Sequence, residues 1–599
     1  MPPSPPPDAF YYLTNFERAL AWLAERYDDV LDEHEHTFLR AFATLPRPSR
    51  ALLVRMLMRN GPSFRASKLV YDEIGCPLDA AAPLVAHGWV DPAPSLSLDE
   101  VFALTTKAEL AERFPALAAS PSGRKSDWLE QVRRDLAADA PGAGGAGSAQ
   151  TGSALLDAAR SSSALPDAAR PDVARPFHTW FPDTADRVLR VTVGALCDRL
   201  RLMFFGNLHQ DWSEFVLADL GVFQYESVPL APSSRAFQRR GDVDAYLALH
   251  ACRDALDAWP DDAPLDPLLD AADAIACAQP WLATRRAKLL FALGQAGERR
   301  GAWPFALDAY AKSAWPGSRH RRIRVLERCG RDGDALALAR QARAAFESDE
   351  ERQRVERMLP RLQRRAGVAV TRAAGASAAP RATLVLPRPG EATSVEFAVR
   401  DHLAQPASTV HYVENTLINS LFGLLCWDAI FAAVPGAFFH PFQRGPADLH
   451  APDFAARRAD AFARCFAELD SGAYRDTIRV RYEAKFGLQS PFVFWGVLTP
   501  ALLDEALACL PPAHLRLWFA RLLADIRGNR SGLPDLVRFW PAERRYELIE
   551  VKGPGDRLQD NQTRWLAYCI AHGMPVRVID VEWADDARTP ADMAGTLSA

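Results

Sequence analysis

Within GLPDLVRFWPAERRYELIEVKG, Gly532 to Gly553, two carboxylates and a lysine recur at a spacing that could carry chemistry on a phosphate. LVRFW and YELIEVK are alternating runs around PAER and read as a two-stranded hairpin. Side chains alternate faces along a strand, so Glu550 and Lys552 project together while Ile549 and Val551 point the other way. Centring the turn between Ala542 and Glu543 sets Asp535 opposite Glu550. Two carboxylates at such quarters repel, and burying them costs on the order of several kcal/mol unless a cation lies with them. A divalent metal meets that need, and an all-oxygen ligand set suits Mg²⁺ or Mn²⁺ rather than zinc. A cation there polarises a phosphodiester and activates water, and Lys552 is placed to orient that water or neutralise developing charge.

The elements that must position these groups are also readable. After the hairpin come a helical pattern, DRLQDNQTRWLAYCIAHG, and a β-run, PVRVIDVEW. Strand–strand–helix–strand is the core of the restriction-endonuclease-like α/β fold, and Pro534-Asp535 followed by Glu550-Val551-Lys552 is that superfamily's minimal signature. A third carboxylate is sought in STVHYVENTLINSLFGLLCWDAIF, where a helix is expected to start near Ser408 or Thr409. Glu414 then shares an apolar stripe with Leu417, Ile418, Leu421 and Leu425. A charge on a buried stripe costs energy unless it is paired or ligates a metal. The competing reading is a helix-start glutamate favoured by the helix dipole.

The remainder of the 599 residues divides by pattern. Hydrophobic residues make up 49% and charged residues 24%, enough for several cores. A net charge of −5 excludes a uniformly basic nucleic-acid coat but leaves room for a local basic groove. Nine cysteines without a CxxC pair point to reduced thiols, not a disulfide frame or thiolate zinc site. The start, MPPSPPPDAF, lacks the features of a signal peptide, and no run of about 18 apolar residues occurs. A soluble intracellular protein with no membrane partner is expected. Residues 1–92 read as a helical domain in which Arg50, Arg55, Arg59, Arg65 and Lys68 interleave with apolar positions; Arg55, Arg59 and Lys68 are candidate DNA contacts. Residues 93–137 pair a helix ending near Phe114 with a second opening at Gly123-Arg124-Lys125-Ser126, which resembles a SAP motif. Helix N-termini attract anions, and Arg124 and Lys125 add charge there. Residues 138–175 read as a low-complexity linker. Residues 176–366 are largely helical, and GAWPFALDAYAKSA and GRDGDALALARQARAA echo one another as degenerate tetratricopeptide-like hairpins. Arg319, Arg321, Arg322, Arg324 and Arg328 crowd one segment with few nearby acids, which favours a phosphate contact. An α/β domain fills 384–599, with Arg527 and Arg530 ahead of its hairpin as candidate backbone contacts. The fold class is thus multidomain, α plus α/β.

DIRGNRSGLPDLVRFWPAERRYELIEVKGPGDRLQDNQTRWL, with FGLLCWDAIF, FQRGPADL, FAARRADAF and Trp495 after Lys485, resembles the VRR-NUC domain of the Fanconi-associated nuclease family. The order of SAP-like motif, helical repeats and C-terminal nuclease matches as well. The resemblance implies metal ligation by Glu414, Asp535, Glu550 and the main-chain carbonyl of Val551, with Lys552 catalytic and Gln562 facing the site. It implies a hydrolase of the phosphodiesterase I type: a 5′-flap endonuclease with 5′→3′ exonuclease activity on branched DNA, in repair including that of interstrand crosslinks. A basic pocket among the repeats would take a 5′-phosphate, for which Arg319, Arg321 and Arg322 are the candidates. The expected setting is a bacterial cytoplasm, at the nucleoid. No ubiquitin-binding zinc finger of the animal members is found, so ubiquitin binding is not expected. The same motif also serves Holliday-junction resolvases and restriction-type enzymes, but the bulky N-terminal apparatus argues against a minimal symmetric resolvase. A non-catalytic repair scaffold is the third reading, and the intact Asp–Glu–x–Lys set weighs against it.

Overall fold

The computed structural model describes residues 9–119, 123–138, 174–212, 223–370, 378–388 and 394–584. Nearly all of the low-complexity stretch expected to be a linker lies outside them. The chain divides into two compact units, residues 1–222 with 236–267, and residues 223–235 with 268–599. Among the described residues no helix is long and apolar enough to cross a membrane.

The first unit opens with three helices, α1 (Tyr11–Tyr27), α2 (Glu33–Thr44) and α3 (Arg47–Leu57). α2 starts where Asp32 and Glu35 exchange side chain-to-backbone hydrogen bonds, a reciprocal cap that satisfies two of the helix's orphan N–H groups. β1 (Ser63–Arg65), α4 (Pro77–Ala86) and β2 (Val90–Asp91) follow. The SAP-like segment consists of β3 (Ser95–Leu96), α5 (Leu98–Leu104), α6 (Lys107–Arg113) and α7 (Lys125–Ala138). Its first half is split at Thr105–Thr106, because Thr106 caps a new helix with Glu109. β4 (Arg175–Pro176) returns to pair with β3, and β5 (Val188–Val191) lies between β1 and β2. α8 (Gly194–Phe205) and α9 (Arg240–Asp257) complete the unit. Arg199 and Arg240 from these helices hold the buried Glu35 at 2.8 and 2.7 Å.

Past the short helix at Asp266–Ala274, the second unit runs through α10 (Pro280–Arg299), α11 (Trp303–Lys312), α12 (Ser318–Arg328), α13 (Asp332–Ala344) and α14 (Asp349–Arg365). The two echoing segments are α11 and α13, each entered through a left-handed glycine, Gly301 and Gly330, both at φ +71°. Consecutive helices pack side by side.

The sheet of this unit runs β6–β10–β9–β8–β7, with β6 (Arg381–Leu386), β7 (Thr409–Tyr412), β8 (Leu536–Trp540), β9 (Arg545–Lys552) and β10 (Val576–Trp583). β6 begins at Arg381, so residue 384 falls inside a strand. β8 and β9 are antiparallel, with Leu536 opposite Ile549 and Trp540 opposite Arg545. Their turn is Pro541 to Arg544, with Arg544 left-handed. α15 (Val395–Leu403) covers one face of the sheet, over Leu536, Ile549, Val551 and Ile579. The other face carries Val537, Phe539, Leu548 and Val578 and packs on Trp565, Leu566 and Cys569 of α17 (Asp560–Ala571). α16 (Leu417–Leu425), fully buried, belongs to that second core.

One expected element is replaced. No helix starts at Ser408 or Thr409; Thr409–Tyr412 is the strand β7, antiparallel to β8, and α16 starts only at Leu417. Thr409, Val410 and Tyr412 favour a pleated surface, and Asn415 at φ +52° closes the strand before the helix can form. Glu414 therefore lies in the corner between β7 and α16, not on a helical stripe.

Candidate active site

The hairpin register places the carboxylates. The β8–β9 ladder ends at Leu536–Ile549, so Asp535, just before β8, lies opposite Glu550, which stays in the sheet through its pairing with β10. Asp535 Oδ2 accepts the Val551 N–H at 2.8 Å. Glu550 is fully buried, and Lys552 Nζ lies 2.7 Å from its Oε1. Neither Glu550 oxygen has a hydrogen-bond donor of proper geometry among the described residues. Burial, and then the charge of Asp535, push the Glu550 carboxyl well above the usual carboxylate range, while Lys552 pulls against both. Burial likewise raises Asp535, opposed by the Val551 N–H and Lys552. Glu414 lies near enough to raise both carboxyls further.

Glu414 reaches this place through a strand and a strained corner. The Val413 N–H donates to the Asp535 carbonyl at 2.8 Å, extending the β7–β8 ladder to the corner of the hairpin that carries Asp535. The Tyr412 hydroxyl donates to Glu414 Oε2 at 2.6 Å, and Asn415 Nδ2 to Oε1 at 3.1 Å. Glu414, Asp535 and Glu550 share this corner with the one ammonium of Lys552, and Glu396 adds negative charge near Asp535, a deficit of positive charge that a dication fits. Among the described residues no three acidic, histidine or cysteine side chains already close a metal sphere. Magnesium-type sites ordinarily use one or two carboxylates and complete the sphere with water and phosphate oxygens, so two carboxylates such as Asp535 and Glu550 would be an ordinary protein contribution.

Three family models match the chain: the FAN1 HTH domain over residues 10–91, the Fanconi anemia-associated nuclease SAP domain over 95–180, and the VRR-NUC domain over 469–583. A Fanconi-associated nuclease 1 homolog of Pseudomonas aeruginosa is 51% identical over 580 residues, covering 97% of each chain. The chain belongs to the Fanconi-associated nuclease family. The Arabidopsis thaliana homolog of that nuclease is 23% identical over 659 residues, 98% of this chain and 68% of its own. A crystal structure of paFAN1 bound to DNA with a 2-nucleotide 5′ flap and a gap superposes with a TM-score of 0.86 at 51% identity, covering 97% of this chain and 99% of that one. The chain is accordingly a nuclease with a VRR-NUC domain, and divalent-metal dependence comes with that domain.

The remaining sequence candidates scatter among distinct environments. Gln562 is buried and caps α17, its Oε1 accepting the Gln559 N–H at 2.9 Å. Arg530 is half-buried; it donates to the Pro491 carbonyl and lies 5.3 Å from the Phe492 ring, so it braces the loop before the hairpin. Arg527 stays exposed over Trp315, 5.5 Å from its ring. Arg319 grips Glu351 with two bonds of 2.7 and 2.5 Å, Arg321 sits 3.3 Å from Glu298, and Arg322 is half-buried. The expected scarcity of acids around this cluster is thus overturned, because Glu298 and Glu351 arrive from neighbouring helices. In the first unit Arg55 pairs with Glu73 at 2.7 Å beneath Tyr12 and Tyr71, whereas Arg59 and Lys68 are exposed. Lys125 is half-buried and donates to the Thr105 carbonyl at 2.6 Å, a staple between α7 and α5, and Arg124 alone remains free for solvent.

Sequence reasoning missed α14. Arg354, Arg357 and Arg361 recur there at i, i+3 and i+7, a spacing that gathers them on one helix face. With Arg321 and Arg324 they surround His320 and line a basic concavity. Burial, and then the charges of Arg354, Arg324, Arg321 and Arg361, lower His320 to about 4. His320, Arg321 and Arg354 also line a larger cavity of about 550 Å³ of mixed charge, in which Arg527 and Arg564 meet Glu347, Glu350, Glu351 and Asp525.

Proposed function

We propose that this protein is a structure-selective DNA nuclease that uses Mg²⁺ or Mn²⁺, cuts 5′-flapped and related branched DNA, degrades DNA 5′→3′, and acts in bacterial repair, including that of interstrand crosslinks. The observation that carries the chemistry is the pairing of Asp535 with a fully buried Glu550 at the open end of the hairpin, with Lys552 2.7 Å from Glu550. Asp535, Glu550, the Val551 carbonyl and Glu414 would hold the cation. The chemistry supplied by such a cation is polarisation of the scissile phosphodiester and activation of water. Asp535 is fixed for this task by the Val551 N–H, and Glu414 by Tyr412 and Asn415. Lys552 presents its ammonium on the same side of the strand as Glu550, where it orients the attacking water and neutralises the charge growing on phosphate.

Flap preference rests on a second feature. The 550 Å³ cavity joins the repeats to the loop that precedes Asp535, through Arg321, Arg354 and Arg527. A terminal phosphate carries more charge than an internal diester, so the adjoining concavity lined by Arg321, Arg324, Arg354, Arg357 and Arg361 favours a 5′ end over continuous backbone. The DNA-flap complexes of paFAN1 support this choice of substrate. The test compares labelled 5′-flap, Holliday-junction and duplex DNA with Mg²⁺, Mn²⁺ or chelator. Metal-dependent cutting of the flapped strand near its junction is expected; equal cutting of all three substrates refutes the selectivity.

A further inference from the structure

Glu414 is held by a small polar network whose centre is Asn415. Its backbone sits at φ +52°, a left-handed conformation that asparagine tolerates better than other residues carrying a Cβ. In that conformation the carboxamide looks two ways. Nδ2 donates to Glu414 Oε1 at 3.1 Å, and Oδ1 accepts the Leu533 N–H at 3.1 Å, two residues before Asp535. The Asn415 carbonyl accepts from Nδ2 of the fully buried Asn419 at 2.7 Å, and the same Nδ2 reaches the Arg530 carbonyl at 2.9 Å. Tyr412 holds the other oxygen of Glu414 at 2.6 Å. The corner that delivers Glu414 and the loop that delivers Asp535 are thus bound together at two points beyond the strand ladder.

We infer that Asn415, seconded by Tyr412, is a positioning residue that sets the placement of Glu414 relative to Asp535 and so tunes the affinity of the site for its divalent cation. The inference rests on the metal-site reading of Asp535 and Glu550. Partners that orient ligating carboxylates typically change metal affinity by roughly 10–100-fold when removed. A carboxylate without its two donors rotates freely and must be ordered anew each time a cation binds.

The test is Asn415→Gly in the full chain. Glycine is at home at φ +52°, so the turn persists while both carboxamide bonds vanish. Titration calorimetry with Mn²⁺ alone, without DNA, should show binding weakened roughly 10–100-fold. The Mn²⁺ concentration for half-maximal flap cleavage should rise by a similar factor, with the rate at saturating Mn²⁺ recovering to near wild type. Thermal unfolding should fall only modestly, the Leu533 N–H having lost its acceptor, and metal-free flap binding should match wild type. Tyr412→Phe removes only the hydroxyl and should move Mn²⁺ affinity in the same direction, which keeps the test intact should the glycine variant fold poorly. Unchanged Mn²⁺ affinity in both variants overturns the inference. So does a rate loss that no Mn²⁺ concentration restores, the mark of a residue acting on the fold or on the reacting atoms. The parent reading fails differently: wild type would not bind Mn²⁺ in the calorimeter, or Asp535→Asn and Glu550→Gln would bind it as wild type does.

Discussion

Arg319 and Arg321 lie two positions apart on α12 and meet different surroundings, so they should fail differently when removed. Arg319 neutralises Glu351, a carboxylate almost wholly buried, through two short bonds. Breaking one side of a buried ion pair costs about 3–5 kcal/mol, so Arg319→Ala should shift the urea unfolding midpoint of the protein downward. Arg321 is half-exposed on the cavity wall. Arg321→Ala should lower the midpoint less than Arg319→Ala, since its contacts with Glu298 are longer and Glu298 is less buried than Glu351, and should lose the preference for phosphorylated over hydroxyl-ended flaps, read as a ratio of cleavage rates. The neighbour between them adds a pH signature. His320 is held near 4 in the free protein, so it is neutral at pH 7. A phosphate in the cavity offsets the surrounding arginines and raises His320, so the bound form takes up more protons than the free form. Affinity for a 5′-phosphorylated end therefore gains a component that strengthens as pH falls from 7 towards 5. Comparing wild type with His320→Asn removes the phosphate's own titration from the measurement. Parallel pH profiles would exclude His320 from the contact.

At the scale of elements, the loop from Asn529 to Asp535 decides where the first carboxylate lands. Gly532 within it has φ +90°, and a Cβ there would lie 2.8 Å from the Asn561 main chain at the start of α17. Trp565 of α17 donates to the Asn529 carbonyl at 3.1 Å, holding the same loop from that side. Gly532→Ala must push the loop from α17 and adopt a backbone costing about 1–2 kcal/mol. It should lower flap cleavage at least tenfold while binding of flap DNA in chelator stays within about twofold; full activity would mean that the loop gives way without moving Asp535. The hairpin that receives this loop was legible because period-two alternation and a turn sequence are local signals, and its register followed from counting across PAER. The helical stripe of Leu417, Ile418, Leu421 and Leu425 was also real, but extending it back to Ser408 overrode the β-branched character of Thr409 and Val410. What set the helix start was the left-handed Asn415 and the pairing of β7 with β8, a contact over 100 residues distant in sequence. Distance in sequence likewise hid the acids that pair with α12, since Glu298 lies on α10 and Glu351 on α14. The face of Arg354, Arg357 and Arg361 was readable from spacing alone.

At the scale of the molecule, HTH and SAP domains and a run of helices precede the VRR-NUC domain along the chain. The SAP-like segment presents Arg124 at the exposed start of α7, while Lys125 is tied to Thr105. Arg124→Ala should lower DNA affinity alike for all sequences and reduce the slope of log affinity against log salt by about one unit. Lys125→Ala should act chiefly on the packing of α7, with the salt slope nearly kept. An unchanged slope for Arg124→Ala would remove that residue from the DNA contact. Binding and cutting are thus expected to separate: the first spread over many cations, the second resident in one carboxylate pair. The measurement that bears most directly on this separates them in one experiment. A labelled, 5′-phosphorylated flap is offered to wild type, Asp535→Ala and Glu550→Ala, with binding followed in Ca²⁺ and cleavage in Mn²⁺. The expected result is flap binding within about threefold across the three proteins, and cleavage by wild type alone. Cleavage at a near wild-type rate by either variant would contradict the assignment of Asp535 and Glu550 as the centre of the enzyme.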